Sequence, residues 1–594
     1  MRLLPKCLLV ITAIVVVLRP GPAMPADGRV NRNGHHHQHG PNEGIIEVKT
    51  NDLVRRPSGS QGSPSLIGSW GEPFYNPAIA IHTSVLPTGK VLMFSYGTGN
   101  PQGPVWLWDP ITNTSEPFPV VDDIFCAGHA FLPDGRLFVA GGNGPAPPDE
   151  FRGLACTYIF DPWTEAWTKV EDMEHGRWYP TCIPLADGRI ATFSGLNETD
   201  GEINEDIEVY EPGVGWQTVG SAWLPLYPMT LLNTDGDIFY AGPEWRTGIM
   251  STQSWDWDVF YYTNYGWRGT GTWAPIPGDA NRVIIAGGYG SGPTNTVEII
   301  DLDDAAPDWQ TMTPMHHARV HSNAVILPDS KILVIGGQNT APWQDSVPYL
   351  PVYDAELYDP STDTWTLMAP GQIPRLYHST AVLLPDGRVL AGGTDGEFEL
   401  EIYSPPYLFK GPRPVITTAP TTIYYGSTFP IEFTSESSQN TACLIRLSSV
   451  THSINMEQRY VDLGDVVESN DPVLMSAPAT TADAPAGYYM LFVVDSSGVP
   501  SESRMVRLME GVGCVCDCHA DPICEDQFDV LDVIATVNVA FRGNAPGIDP
   551  NPACPYHSTD VDCSLATDVL DVVRIVNVAF RGENPATEFC APCP

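Results

Sequence analysis

The sequence predicts an all-β protein with a small helical appendage, and three observations lead there. Gly and Pro are frequent, 54 and 57 residues of 594, and aromatics make up 10%, a profile rich in turns. Long helical periodicities are nearly absent before residue 510. One pattern recurs along residues 80–395: an apolar strand, a Pro/Asp-Gly turn, then a second apolar strand often ending in Gly-Gly. At this length two to four domains are expected.

In chain order, the N-terminus comes first. "MRLLPK" is a short basic start, "CLLVITAIVVVL" an apolar run, and small residues follow in "GPAMPA". Residues 1–26 read as a secretory signal peptide, too short for a comfortable membrane span. No other segment has the length and hydropathy to cross a bilayer, so the expectation is a soluble chain acting outside the cytosol. Residues 27–63 read as a disordered linker. Its cluster of His35, His36, His37 and His39 suits loose binding of copper or zinc, or is simply a flexible polar tail. The formal charge of −41 argues against nucleic-acid partners, because a polyanion is repelled.

The repeat occupies residues 64–405. Its copies include "AFLPDGRLFVAGG", "AVILPDSKILVIGG" and "AVLLPDGRVLAGG", and the seven turns centre on Thr88, Asp134, Asp187, Asp235, Asp279, Asp329 and Asp386, at spacings of 46, 53, 48, 44, 50 and 57. Asp-Gly between apolar runs is a strong hairpin signal, since Gly tolerates the positive φ of a tight turn. A period near 50 points to kelch-type blades of four strands, and seven copies to a seven-bladed β-propeller. Two stacked sandwiches would not give so regular a period. Phrases such as "FDPWTEAW" and "YDPSTDTW" place a Trp where it can pack between blades.

Residues 406–510 hold short alternating runs, "TIYYGSTFPIEFTS", "CLIRLSSVTHSI" and "GYYMLFVVDSSGVPS", the profile of an immunoglobulin-like β-sandwich. From 511 to 594 the chain is Cys-rich: eight of the 13 cysteines fall between 514 and 593, suggesting a small disulfide-stapled module in an oxidising compartment. "FDVLDVIATVNVAFRGNAP" and "TDVLDVVRIVNVAFRGENP" are duplicates that predict two similar helices, each ending at Arg-Gly. Of the cysteines before 510, Cys156 and Cys182 are a candidate disulfide that nothing requires.

A propeller hosts binders and enzymes alike, so the chemistry rests on particular residues. Cys126 in "DDIFCAGHAFLPDG" and Tyr179 in "HGRWYPTCIPLADG" hold equivalent places ahead of their strands, and Tyr377-His378 in "RLYHST" a comparable one in the last repeat. Neighbours within a strand face opposite ways, but residues on the segment leading into an inner strand can converge on the channel mouth. His452 in "SSVTHSINMEQRYVDL" lies on a turn of the sandwich from which a loop can reach the axis. Taken singly, a lone Cys is a packed core residue, a Tyr a rim aromatic and a His a hydrogen-bonded structural group.

Together they resemble the copper radical oxidases, the family of galactose oxidase and glyoxal oxidase, over roughly residues 65–510. "RLYHST" resembles the family's Tyr-His ligand pair, "VTHSINMEQR" the segment of its second histidine ligand, "RWYPT" its radical tyrosine and "IFCAG" the cysteine cross-linked to it. The resemblance implies copper held by Tyr179, Tyr377, His378 and His452, with a Cys126–Tyr179 thioether as a protein-derived radical cofactor. It implies oxidation of an aldehyde hydrate or primary alcohol, a small molecule or carbohydrate, by O2 to give H2O2. A mixed imidazole and phenolate set suits Cu(II). Trp178 before Tyr179 is more like glyoxal oxidase, and "FSGLNETDG" lacks the Trp that galactose oxidase places over its radical tyrosine. Arg319 and His321 in "HHARVHSNA", with Trp178 and His129, are candidates for contacting substrate, His321 also for carrying a proton; structural hydrogen bonding is the alternative. A catalytically silent propeller that binds glycan or protein is the competing function.

In the tail, Asp560, Asp562, Ser564, Asp568 and Asp571, with the Ala566 carbonyl, follow a calcium-loop spacing entering a helix. Asp at the last position resembles dockerin modules. The first copy keeps Asp521, Glu525, Asp529 and Asp532 but has Ile523 at a ligand position. Acidic N-caps on two helices are the simpler account. A dockerin-like module implies a cohesin-like or cell-surface partner.

Overall fold

The computed structural model describes residues 62–97, 104–147, 150–341, 350–469, 472–510, 530–542 and 569–581. The signal segment, the histidine cluster, the eight C-terminal cysteines and Asp521, Glu525, Asp529, Asp560, Asp562, Ser564, Ala566 and Asp568 lie outside the described residues. The duplicated helices are seen at Val530–Arg542 and Val569–Arg581, and they touch each other. Asp532 and Asp571 fall on their first turns. Among the described residues no helix is long and apolar enough to cross a membrane.

The chain is mostly β. Seven sheets follow the seven repeats, each an antiparallel meander. Their first strands are His82–Val85, Gly128–Phe131, Thr181–Pro184, Met229–Leu232, Thr272–Ile276, Asn323–Ile326 and Ser379–Leu383, and the sheets are numbered 1 to 7 in that order. The Asp-Gly turns link first strands to second strands, as in the pairing of Thr181–Pro184 with Ile190–Phe193. First strands are buried along their whole length, whereas a fourth strand such as Thr114–Pro117 alternates exposed and half-buried. First strands of neighbouring sheets touch: sheets 2 and 3, 3 and 4, 5 and 6, 6 and 7, and 7 and 1. Sheet 7 takes its outer strand from the start of the described chain, with Ser69 opposite Ser404 and Trp70 opposite Tyr403. The Trp of the second phrase packs between sheets as expected: Trp167 of sheet 2 donates its indole N–H to the Phe118 carbonyl, and Trp365 of sheet 6 donates to that of Thr313.

A buried clamp holds the entrances of four sheets. Arg177, Arg268, Arg319 and Arg375 each turn back into their own sheet and pair with Glu208, Glu298, Glu356 and Glu401 at 2.7, 2.8, 2.5 and 3.2 Å. Each guanidinium also donates to backbone carbonyls, those of Gly336 and Asp354 for Arg319. Each Glu accepts a backbone N–H from the loop entering the sheet, such as Glu174 N to Glu208 at 2.8 Å. These ions are desolvated, and the extra hydrogen bonds make the burial tolerable. The Gly-Gly pairs complete the clamp. Gly142, Gly288 and Gly337 donate N–H to the Arg177, Arg319 and Arg375 carbonyls of the next sheet at 3.0, 2.9 and 2.6 Å. The glycine before each must lack a side chain: a Cβ on Gly141 would sit 2.4 Å from the Arg177 carbonyl oxygen.

Residues 413–510 form a three-stranded and a five-stranded sheet around a core that includes Phe429, Ile431, Leu444, Leu491 and Val506. Between Asn440–Arg446 and Tyr460–Val466 of the larger sheet the chain leaves as a hairpin, Ser449–Thr451 and Ile454–Asn455. Ser449–Thr451 pairs with the first strand of sheet 1, His82 opposite Thr451 and Ser84 opposite Ser449. This finger is the described structure's link between sheet 1 and the C-terminal sandwich sheets, and His452 stands at its tip.

Cys156 and Cys182 do not pair. Both are buried thiols, with Cys156 Sγ directed to the Gly141 carbonyl and Cys182 Sγ to the Thr192 hydroxyl, each at 3.4 Å. Burial pushes both thiols up to about 12.

Candidate metal centre

Six sheets are entered through a residue in the left-handed region: Cys126 (φ 61°), Tyr179 (71°), Tyr227 (46°), Thr270 (56°), His321 (59°) and His378 (64°). None is Gly, so each position stores strain that the surrounding structure must hold, a feature concentrated at functional sites. The finger adds His452 (49°) and Ser453 (68°). A left-handed residue breaks the strand alternation, so its side chain is re-aimed just as the chain enters the innermost strand.

Four of these side chains meet, with Tyr377 beside them. His452 Nε2 lies 2.9 Å and His378 Nε2 3.4 Å from the Tyr179 hydroxyl. The Tyr377 and Tyr179 hydroxyls are in direct contact. Cys126 Sγ is 3.8 Å from His452 Nε2, and the Cys126 carbonyl accepts the Tyr179 N–H at 2.9 Å. The donor atoms of Cys126, His378 and His452 all lie within 4.8 Å of one another. The rings of His378 and His452 are 4.5 Å apart and perpendicular, and that of Tyr377 stacks on His378 at 3.8 Å. All are buried except Tyr377, which is partly exposed.

The donor set fits a metal ion that takes mixed nitrogen and oxygen ligands. Both histidines use Nδ1 elsewhere: His378 toward the Asp395 carboxylate at 2.6 Å and His452 toward the Thr451 hydroxyl at 2.6 Å. With the proton on Nδ1, each Nε2 presents a lone pair to the same point, the arrangement that outer partners impose on ligating imidazoles. Burial, with Cys126 and Tyr377 close by, holds the Tyr179 phenol well above its ordinary range. A cation placed there would have to displace that proton, as metal binding to phenols does.

Around the centre, Trp178 lies against Tyr179 with centroids 3.7 Å apart, and Phe151 stacks on its other face at 4.4 Å. Its indole Nε1 is buried and has no hydrogen-bond partner among the described residues. His321 approaches the Tyr377 ring at 4.9 Å. Two of the sequence's candidates for substrate contact have the structural hydrogen bonding that was their alternative. Arg319 is fully buried and spent on Glu356 and carbonyls of its own sheet, so it holds the fold. His129 is also fully buried, behind Cys126, bonded to His82 at 3.1 Å. Three further residues escaped sequence reasoning. Tyr227 packs on Tyr179 and His452 at 4.5 and 4.8 Å and donates its hydroxyl to the Ala127 carbonyl. It sits eight residues before its turn, like Tyr179 and Cys126, and the repeat register alone would have found it. Asp395 and His82 carried no such signal, because their roles depend on contacts with residues distant in the chain, Asp395 within sheet 7 and His82 with the entrance of sheet 2.

Comparison with known proteins follows the same lines. Residues 287–407 match the family described as glyoxal oxidase N-terminus. Residues 413–508 match the galactose oxidase-like, early set domain. A galactose oxidase of Gibberella zeae is 28% identical over 508 residues, covering 75% of this chain and 71% of that protein. The aldehyde oxidase GLOX of Vitis pseudoreticulata is 29% identical over 462 residues, covering 68% and 85%. The comparisons support the copper radical oxidase family. A fungal alcohol oxidase solved in complex with copper superposes with a TM-score of 0.65 at 25% identity, covering 75% of this chain and all of that one. The first matched stretch contains Tyr377 and His378 and the second His452, whereas Cys126 and Tyr179 precede both.

Proposed function

We propose that the protein is an exported copper radical oxidase that converts an aldehyde hydrate or primary alcohol to the next oxidation level, with O2 reduced to H2O2. The observation that carries this reading is the convergence of Tyr179, Tyr377, His378 and His452 beside Cys126. On this reading the seven sheets are the blades of a kelch-type propeller over residues 64–405, followed by an early-set sandwich over 406–510. Residues 511–594 would be a separable dockerin-like docking module that binds calcium.

In this proposal His378 and His452 hold the metal through Nε2, steadied by Asp395 and Thr451, and Tyr179 and Tyr377 offer phenolate oxygens. Copper bound there would supply a one-electron Cu(II)/Cu(I) couple. Two electrons must leave the substrate, so the protein has to store the other. Tyr179, joined through its ring to Cys126 by a thioether, is suited to that: sulfur conjugated with the ring lowers the cost of removing an electron. Tyr377, the partly exposed member, takes the substrate hydroxyl proton, and Tyr179 the hydrogen from carbon. Trp178 and Phe151 cover Tyr179 and keep water from it.

Peptide mapping by mass after copper loading in air tests the reading. A linked Cys126–Tyr179 peptide lighter by two hydrogens is expected, and Tyr179→Phe should abolish peroxide production while the fold survives. Unlinked Cys126 in the copper-loaded, aerated protein would overturn it.

A further inference from the structure

Behind Cys126 runs a line of buried polar side chains that the proposed chemistry leaves without a task. The Cys126 N–H donates to His82 Nε2 at 3.0 Å. That bond fixes the tautomer, because an accepting Nε2 leaves the His82 proton on Nδ1. His82 Nδ1 therefore donates to His129 Nε2, 3.1 Å away. By the same logic His129 keeps its proton on Nδ1 and gives it to the Ser449 hydroxyl, itself 3.0 Å from the Ser84 hydroxyl. His82, His129, Ser84 and Ser449 are all fully buried. Burial holds both imidazoles below their ordinary range, His129 at about 3, in keeping with one proton per ring.

The two ends of this line matter. Cys126 is a non-glycine residue at φ 61°, and its backbone is pinned on both sides: the carbonyl by the Tyr179 N–H and the N–H by His82. Ser449 begins the finger strand that ends next to His452. The line thus joins the strained Cys126 backbone to the base of the finger that delivers the second imidazole. It reaches Ser449 only when the finger is paired with sheet 1.

We propose that His82 and His129 are positioning residues that set Cys126 against Tyr179 once the finger is seated, and so govern formation of the thioether. The inference rests on the copper radical oxidase reading. In the step itself the Cys126 S–H and a C–H of the Tyr179 ring beside its hydroxyl break and one C–S bond forms. The two electrons and two protons released pass to dioxygen, which leaves as hydrogen peroxide. A thiol a fraction of an ångström or a few degrees out of place pays in rate, since such bond formation needs a near-attack geometry. Without His82 the Cys126 N–H is a buried donor with no acceptor, and the left-handed backbone loses the bond that holds it.

The test uses full-length protein prepared without copper, then given Cu(II) and air, with the linked peptide quantified by mass against time. His82→Phe keeps the ring that stacks on Phe94 with centroids 4.2 Å apart but has no acceptor. His82→Gln restores one. Ser449→Ala cuts the far end and leaves Cys126 and every proposed ligand untouched, so it carries the test should H82F fail to fold. Linking in H82F should slow by about tenfold or more, the rate equivalent of one unsatisfied buried donor. H82Q should recover most of that loss and S449A should fall between. Copper affinity, measured by titration calorimetry, should stay within about twofold of wild type. Linking at the wild-type rate in H82F, or in S449A should H82F fail to fold, would overturn the proposal. Absence of a linked peptide in the wild type would instead overturn the reading on which it rests.

Discussion

Sheets 3 and 7 are entered by segments that share an anchor and differ by one residue, Arg177-Trp178-Tyr179 against Arg375-Leu376-Tyr377-His378. In both, the Arg is buried against a Glu of its own sheet, and the left-handed residue stands eight positions before the Asp of the turn, Tyr179 before Asp187 and His378 before Asp386. Sheets 5 and 6 use the shorter form as well, with Arg268 two residues before Thr270 and Arg319 two before His321. The extra residue in sheet 7 is absorbed by a small turn, where Leu376 N–H donates to Thr394 Oγ1 and the Leu376 carbonyl accepts Ser379 N–H. It leaves Tyr377 next to the left-handed His378 with the two rings stacked. One added residue turns a single side chain at the centre into two. The backbone device is common to six sheets, and the chemistry resides in which side chain it presents.

Four changes would break or sharpen that contrast. Deleting Leu376 restores the short spacing to sheet 7, and peroxide production should fall on the order of a thousandfold, as when a group acting directly in the reaction is lost. An active deletion mutant, read by a coupled peroxide assay, would show that the spacing is incidental. Arg319→Met separates anchor from centre: stability should drop by about 3–5 kcal/mol because Glu356 is left buried without its partner, while KM stays as it was. A raised KM with an unchanged denaturant midpoint would return Arg319 to the substrate. Gly336→Ala adds a Cβ 2.7 Å from the Arg375 carbonyl oxygen at φ 73°, and should cost about 1–3 kcal/mol. Its equilibrium unfolding curve against wild type measures that. Smallest is Tyr227→Phe, which keeps the ring on Tyr179 and His452 and removes only the hydroxyl, with its bonds to the Ala127 carbonyl and to Thr451. About 1 kcal/mol of stability should go, with copper affinity by calorimetry unchanged.

Much of this was legible in the sequence, for a local reason. The Asp-Gly hairpins and the apolar runs around them are short-range signals, and the sheets form where they fall. Cys126, Tyr179, Tyr377 and His378 of the proposed site could be singled out because they keep a register to those turns. For Arg319 the sequence left substrate contact and structural hydrogen bonding both open, since strand alternation alone does not settle where a residue ahead of a strand points. The left-handed His321 breaks that alternation, and the long Arg side chain turns back toward Glu356. The Cys156–Cys182 pairing failed on a point spacing cannot express, since each thiol already faces a partner in its own surroundings. His82 and Asp395 matter only through contacts with residues 44 and 17 positions away, and nothing nearby in the chain marks them.

The finger also imposes an order in time. His452 reaches the other proposed ligands from a hairpin that the sandwich strands at Asn440–Arg446 and Tyr460–Val466 hold at its two ends. A nascent chain that has built every sheet up to Ser404 still has one imidazole at its centre rather than two. The set of proposed ligands is therefore incomplete in any chain that stops before the finger. A partly made chain cannot assemble the site early, so on the proposed function it cannot generate peroxide during synthesis and export.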